Sequence, residues 1–175
     1  MDAPAPDEPP AGLHWGIIEL LFFAYRDFVG DADHVLEAFG FGRAHHRVIH
    51  FVHRYPGLKV ADLLDVLRIT KQSLGRVLKQ LLDEGYIVQK AGENDRRQRL
   101  LFATAKGEAL VARLASLQTD RINRALAELE PAGRDAVHQF LRAMIDRDDP
   151  DKVLQAIFGQ DSVDDPVTNR PTAKE

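Results

Sequence analysis

Cysteine is absent from all 175 residues. Disulfides, thiolate metal ligands and a nucleophilic or oxidation-sensing thiol are thereby excluded, while methionine oxidation and cysteine-free metal chemistry are not. No uninterrupted hydrophobic run is long enough to cross a membrane with conviction. The most apolar stretch, Leu13 to Val29, is broken by Glu19, Arg26 and Asp27 and lacks the basic leader and cleavage pattern of an export signal. With no cysteine and no such signal, the cytoplasm of a bacterium-like cell is the expected compartment. Enzyme signatures are missing as well: no Ser/His/Asp elbow, phosphate loop or cysteine nucleophile is present. The carboxylates Asp146, Asp148, Asp149 and Asp151 cluster around Pro150 and read as a solvated connection between helices. No internal repeat is visible, and no cofactor is expected.

What is present concentrates between residues 58 and 107. Val60, Leu63, Leu64 and Leu67 recur at i, i+3, i+4 and i+7, the stripe of a short amphipathic helix that Pro56-Gly57 delimits upstream. Thr70 has a hydroxyl able to accept from a free backbone N–H, so the next helix is predicted to start at Lys71. Its core side is Leu74, Val77, Leu78, Leu81 and Leu82, and Gly85 stands where a left-handed residue ends a helix. At 100° per residue, Gln72, Arg76 and Lys79 gather opposite the leucines. Gln and Arg can pair bidentately with adenine and guanine in a major groove, whereas Lys71, Ser73 and Lys79 suit phosphates, and the capping Thr70 completes the DNA-facing set. A polar stripe of this kind is also common on ordinary solvated helices.

The following segment separates those readings. Tyr86–Lys90 and Arg99–Ala103 are β-prone, and Ala91–Asp95 between them has turn composition, which predicts a two-stranded hairpin with a long basic tip. Arg96, Arg97 and Arg99 lie there, placed to enter a minor groove, and Asp95 is expected to orient a neighbouring arginine. From Arg68 to Arg99 eight Lys/Arg face four acids, an excess of four positive charges in a chain of net charge −4. A local basic patch on an acidic molecule gives salt-dependent attraction to DNA through that patch alone.

Helix-turn-helix, Gly85, hairpin, Asp95-x-Arg97 and then Thr104-x-x-Gly107, in this order, resemble the MarR family of winged-helix regulators. The one departure is Ala103, where the family often has leucine before the threonine. The resemblance covers most of the chain and implies an obligate homodimer on a pseudo-palindromic operator in double-stranded DNA, often released by a small molecule.

The flanks agree with a dimer. Between Leu13 and Val29 stand Trp15, Ile17, Ile18, Leu20, Leu21, Phe22, Phe23, Tyr25 and Phe28, so that helix is apolar nearly all round and expected to be buried. A long helix is predicted from Thr104 to about Leu129, another from Pro131 with Val137, Phe140, Leu141, Met144 and Ile145 on one face, and a short piece carrying Val153, Leu154, Ile157 and Phe158. A winged module needs only about seventy residues, and the remaining helices are most easily buried between two subunits. The expected fold is mainly α with a small β-hairpin, a winged helix-turn-helix (41–104) embedded in an all-helical dimerisation region (13–40 and 105–159). The ends, 1–12 and 160–175, are too polar to offset their ordering entropy.

Histidine is the other unusual feature. His45, His46, His50 and His53 crowd one predicted helix, about Gly42 to Arg54, with the last three roughly opposite Ala44, Val48, Ile49, Phe51, Val52 and Tyr55. Three readings stay open: solvated or structural histidines, a ligand- or pH-responsive group, and metal ligation, which the adjacent Arg43, Arg47 and Arg54 disfavour. The resemblance places an effector pocket between dimerisation helices and winged module, which makes Arg43, His46, His50 and His53 candidates for an anionic or aromatic ligand. A winged-helix protein-interaction module is the alternative to a DNA reader, although such a module has no need of the wing arginines.

Overall fold

The computed structural model describes residues 12–92 and 98–145. Six helices and three strands follow in the order α1 (Trp15–Glu37), α2 (Arg43–Arg54), β1 (Leu58–Lys59), α3 (Val60–Leu67), α4 (Lys71–Asp83), β2 (Ile87–Ala91), β3 (Arg99–Ala103), α5 (Ala105–Ala127) and α6 (Pro131–Met144). The fold is thus mainly helical with a small sheet.

The sheet has three strands rather than two. β1 pairs antiparallel with β3, Leu58 opposite Leu101, and β3 pairs with β2, Ile87 opposite Ala103, in the order β1-β3-β2. A strand of two residues offers too little alternation to stand out in sequence. It exists because Gly57, at φ 89°, turns the chain back so that its N–H donates to Leu101 O at 2.8 Å.

Local chemistry sets the ends of α3 and α4. Thr70 accepts from Ser73 N at 3.1 Å and opens α4. Gly85, at φ 74°, closes it: Gly85 N donates to Leu82 O and Tyr86 N to Leu81 O, the paired bonds of a Schellman motif. Arg68 ends α3 in the left-handed region at φ 49° without being glycine. The core below these helices is formed by Leu36, Ile49, Leu63, Leu74, Leu81, Ile87, Leu101 and Leu114, all fully buried, and no polar or charged residue shares it among the described residues.

Thr104 and Gly107 join the sheet to α5. The Thr104 hydroxyl accepts from Gly107 N at 3.1 Å and donates to Gly85 O at 2.8 Å, so one side chain caps α5 and ties it to the end of α4. Lys106 adds a second tie, its ammonium donating to Glu84 O at 2.8 Å while lying 4.0 Å from the centre of the Tyr86 ring.

Within one chain the first helix is only partly covered. α1 begins at Trp15, runs on to Glu37, and packs against α5, where Arg121 Nε and Nη2 both grip Asp31 Oδ2 at 3.1 and 2.8 Å. Only Val29, Ala32 and Leu36 of α1 are buried within the chain. Trp15, Leu20 and Phe22 are 60%, 67% and 69% exposed. α6 has no buried residue, and Phe140, Leu141, Met144 and Ile145 face solvent. The chain has no further described element to lay over these faces. The predicted piece with Val153, Leu154, Ile157 and Phe158, residues 1–11 and the C-terminal end lie outside the described residues. No described helix is long and apolar enough to cross a membrane.

Candidate nucleic-acid interface

α4 turns its apolar side, Leu74, Val77, Leu78 and Leu81, into the core and leaves Lys71, Gln72, Ser73, Arg76 and Lys79 exposed. The wheel expected from sequence is realised because the stripe is buried against α2 and β2. Thr70 and Ser73 also share a hydroxyl hydrogen bond of 2.9 Å, which orients both at the helix N-terminus, where backbone N–H groups favour phosphate. Lys79 donates to Asp83 one turn on, an exposed pair of little worth that leaves the ammonium able to exchange partners.

Beside α4 the sheet supplies Arg99 and Gln98, both exposed, at the strand end nearest the wing tip. A groove of about 740 Å³ runs between α4, the start of α3 and the sheet, and Lys59, Lys79 and Arg99 line it. Lys90 is held over the Phe102 ring, 4.9 Å from its centre, keeping another cation on the same ribbon. Asp95, Arg96 and Arg97 lie outside the described residues. Of the anticipated DNA-facing set, Thr70, Lys71, Gln72, Ser73, Arg76 and Lys79 share one exposed helix face and its N-terminus, with Arg99 on the neighbouring strand.

A second concavity, of about 220 Å³, opens between α1, α2 and α5 and is lined by Tyr25, Phe28, Val29, Arg43, His46, Arg47, His50, Phe51 and Gln118. It brings together Arg43, His46 and His50 of the expected effector set. His53 is not among its walls. Arg47, Tyr25 and Gln118 were not anticipated, since their meeting depends on how three helices cross. Arg43 Nε donates to Asp33 Oδ2 at 2.7 Å and stands over the Tyr25 ring, which fixes its guanidinium at the rim. Burial pushes the imidazoles of His46 and His50 below the usual histidine value, and His46, Arg54 and His53 lower His50 further. The lowered values favour the neutral rings, each of which can donate and accept one hydrogen bond. No group of three histidine or carboxylate side chains suited to a metal occurs among the described residues.

A helix-turn-helix with a basic exposed second helix, flanked by an antiparallel wing and two long helices, defines a winged-helix DNA-binding regulator. The chain belongs to the MarR family. The family profile, described as MarR family, matches residues 39–98. The HTH-type transcriptional regulator PetP of Rhodobacter capsulatus is 45% identical over 129 residues, 74% of this chain and 78% of that protein. The SlyA-like transcription regulator of Listeria monocytogenes superposes with a TM-score of 0.63 at 19% identity, over 79% of this chain and 91% of its own. Streptococcus pneumoniae FabT, solved in complex with DNA, gives 0.64 at 18% identity over 75% and 99%. As a MarR-type protein this chain is a transcription regulator and not an enzyme.

Proposed function

We propose that the protein is a homodimer that reads a pseudo-palindromic operator and is modulated by a small molecule. In this reading residues 41–104 form the reader and 13–40 with 105–159 the dimerisation region. α4 enters the major groove, Gln72 and Arg76 meet base edges, and Thr70, Lys71, Ser73 and Lys79 hold phosphates. Arg99, with Arg96 and Arg97 oriented by Asp95, reaches the minor groove. The observation that carries the reading is that one chain leaves two unlike faces uncovered. One is the polar Gln72/Arg76/Lys79 face of α4; the other is apolar surface, on α1 around Leu20 and Phe22 and on α6 around Phe140 and Leu141.

A second copy of the chain covers the apolar face at least cost, because a two-fold axis lets the same helices pack on one another. Such a dimer presents two α4 helices to successive major grooves, about one turn apart. FabT, described in complex with DNA, supports this mode of use. The cavity of Arg43, His46, Arg47 and His50 suits an anionic or aromatic effector: the arginines supply charge, Tyr25, Phe28 and Phe51 supply ring surface. Action in the cytoplasm follows from that role.

Selection of bound sequences from a random DNA pool, with the mass of the protein and of its complex measured in solution, tests the proposal. A pseudo-palindrome bound by two chains is the expected result. Monomeric protein, or no enrichment over scrambled DNA at physiological salt, overturns it.

A further inference from the structure

His45 was left without a role by its sequence context, and the structure gives it the most constrained imidazole in the chain. Its Nδ1 lies 3.1 Å from Gly42 N, which donates to it. Nδ1 is therefore unprotonated, the hydrogen of the neutral ring is on Nε2, and Nε2 donates to Gln80 Oε1 at 2.9 Å. With its oxygen committed, the Gln80 amide donates to Glu84 Oε1 at 2.9 Å and toward Gly40 O at 3.5 Å. The ring stacks on Phe41, 4.8 Å between centres and 12° from parallel. Every polar atom of the imidazole has one partner and one direction.

The two ends of this chain of bonds lie on different helices. Gly42 and His45 open α2, while Gln80 belongs to α4, one residue beyond Lys79. Apart from the bonds that Thr104 and Lys106 make at its C-terminal end, α4 meets the rest of the core through apolar side chains, which resist separation more than sliding or rotation. A directional hydrogen bond at half-buried positions does resist rotation. Arg43, His46 and His50 project from roughly the opposite side of α2, so the cavity and α4 act on the same twelve-residue helix.

We propose that His45 is a positioning residue for DNA recognition: through its Nε2–H to Gln80 it fixes the rotation of α4 relative to α2. The inference rests on α4 being the reading helix. Loss of the bond lets α4 populate poses that do not fit the groove, and apparent affinity falls with the fraction that fits.

Asparagine and glutamine separate the two ends of the imidazole. His45→Asn places an acceptor near Nδ1 and keeps the bond from Gly42, but falls short of Gln80. His45→Gln reaches as far as Nε2 and can donate to Gln80, but does not cap. Affinity for the selected operator is measured for both, together with Gln80→Met, the double variant His45→Asn/Gln80→Met, and thermal unfolding of each. Weakening by about three- to tenfold is expected for His45→Asn and Gln80→Met, with near-recovery in His45→Gln and no further loss in the double variant. Unchanged affinity in His45→Asn, equal weakening in Asn and Gln variants, or losses that multiply in the double variant overturn the proposal. Arg76→Ala in the same assay keeps the two readings apart. If it leaves affinity unchanged, α4 is not the reader; if it weakens binding while His45→Asn does not, only the positioning role fails.

Discussion

Gly107 passes so close to Tyr86 that a Cβ added to it would lie 2.2 Å from the Tyr86 carbonyl oxygen and 3.3 Å from Ile49 Cδ1. That oxygen accepts from Thr104 N at 3.0 Å, so it cannot retreat without loosening the junction of sheet and α5. Gly107→Ala is expected to destabilise the protein by about 1–3 kcal/mol, as overpacking does, seen as a lower denaturation midpoint. Gly75, inside α4 with nothing within 4 Å of a built Cβ, should behave oppositely. Gly75→Ala is expected to add up to about 1 kcal/mol of stability through helix propensity.

Thr104 serves the same junction through its side chain. Thr104→Ala removes the acceptor for Gly107 N and the donor to Gly85 O and should cost about 1 kcal/mol, while Thr104→Ser, which keeps the hydroxyl, should cost clearly less. Equal losses in urea unfolding would show that the methyl, rather than the cap, matters.

On DNA, Arg76→Ala should weaken operator binding by roughly 1–3 kcal/mol and relax base preference at one position of each half-site. Lys79→Ala and Arg99→Ala should weaken selected and scrambled DNA alike, each lowering the slope of log affinity against log salt by roughly 1. Titration at several salt concentrations distinguishes the two behaviours. A salt slope unchanged in Lys79→Ala would place that ammonium on Asp83 rather than on phosphate.

Proton uptake should also mark the cavity. His46 and His50 have folded-state values lowered by burial from the ordinary 6.5, so below that pH the unfolded chain binds protons that the folded chain resists. Their contribution to stability is complete above about pH 6.5 and is lost as pH falls through the lowered native values. Unfolding free energy measured from pH 7.5 down to 5 should decline, and the double variant His46→Gln/His50→Gln should flatten that decline.

Much of the helix-turn-helix was legible in the chain because its determinants are local. Thr70 caps the helix that follows it, Gly85 supplies the left-handed residue that ends it, and the leucine period of 71–82 alone specifies which face is left for Gln72, Arg76 and Lys79. The Thr104-x-x-Gly107 spacing likewise marked the start of α5. What sequence could not contain was which distant groups meet. β1 is a strand only because Gly57 returns Leu58 to Leu101, and the apolar N-terminal half of α1 is left uncovered within one chain because only the stripe of Val29, Ala32 and Leu36 is buried. Arg47 and Gln118 share a cavity, and His45 faces Gln80, thirty-five residues away, only once three helices have crossed at their packed angles. Helix ends and faces are set by neighbours within a turn or two; cavities and struts are set by the packing of side chains distant in the chain, which sequence periodicity does not encode.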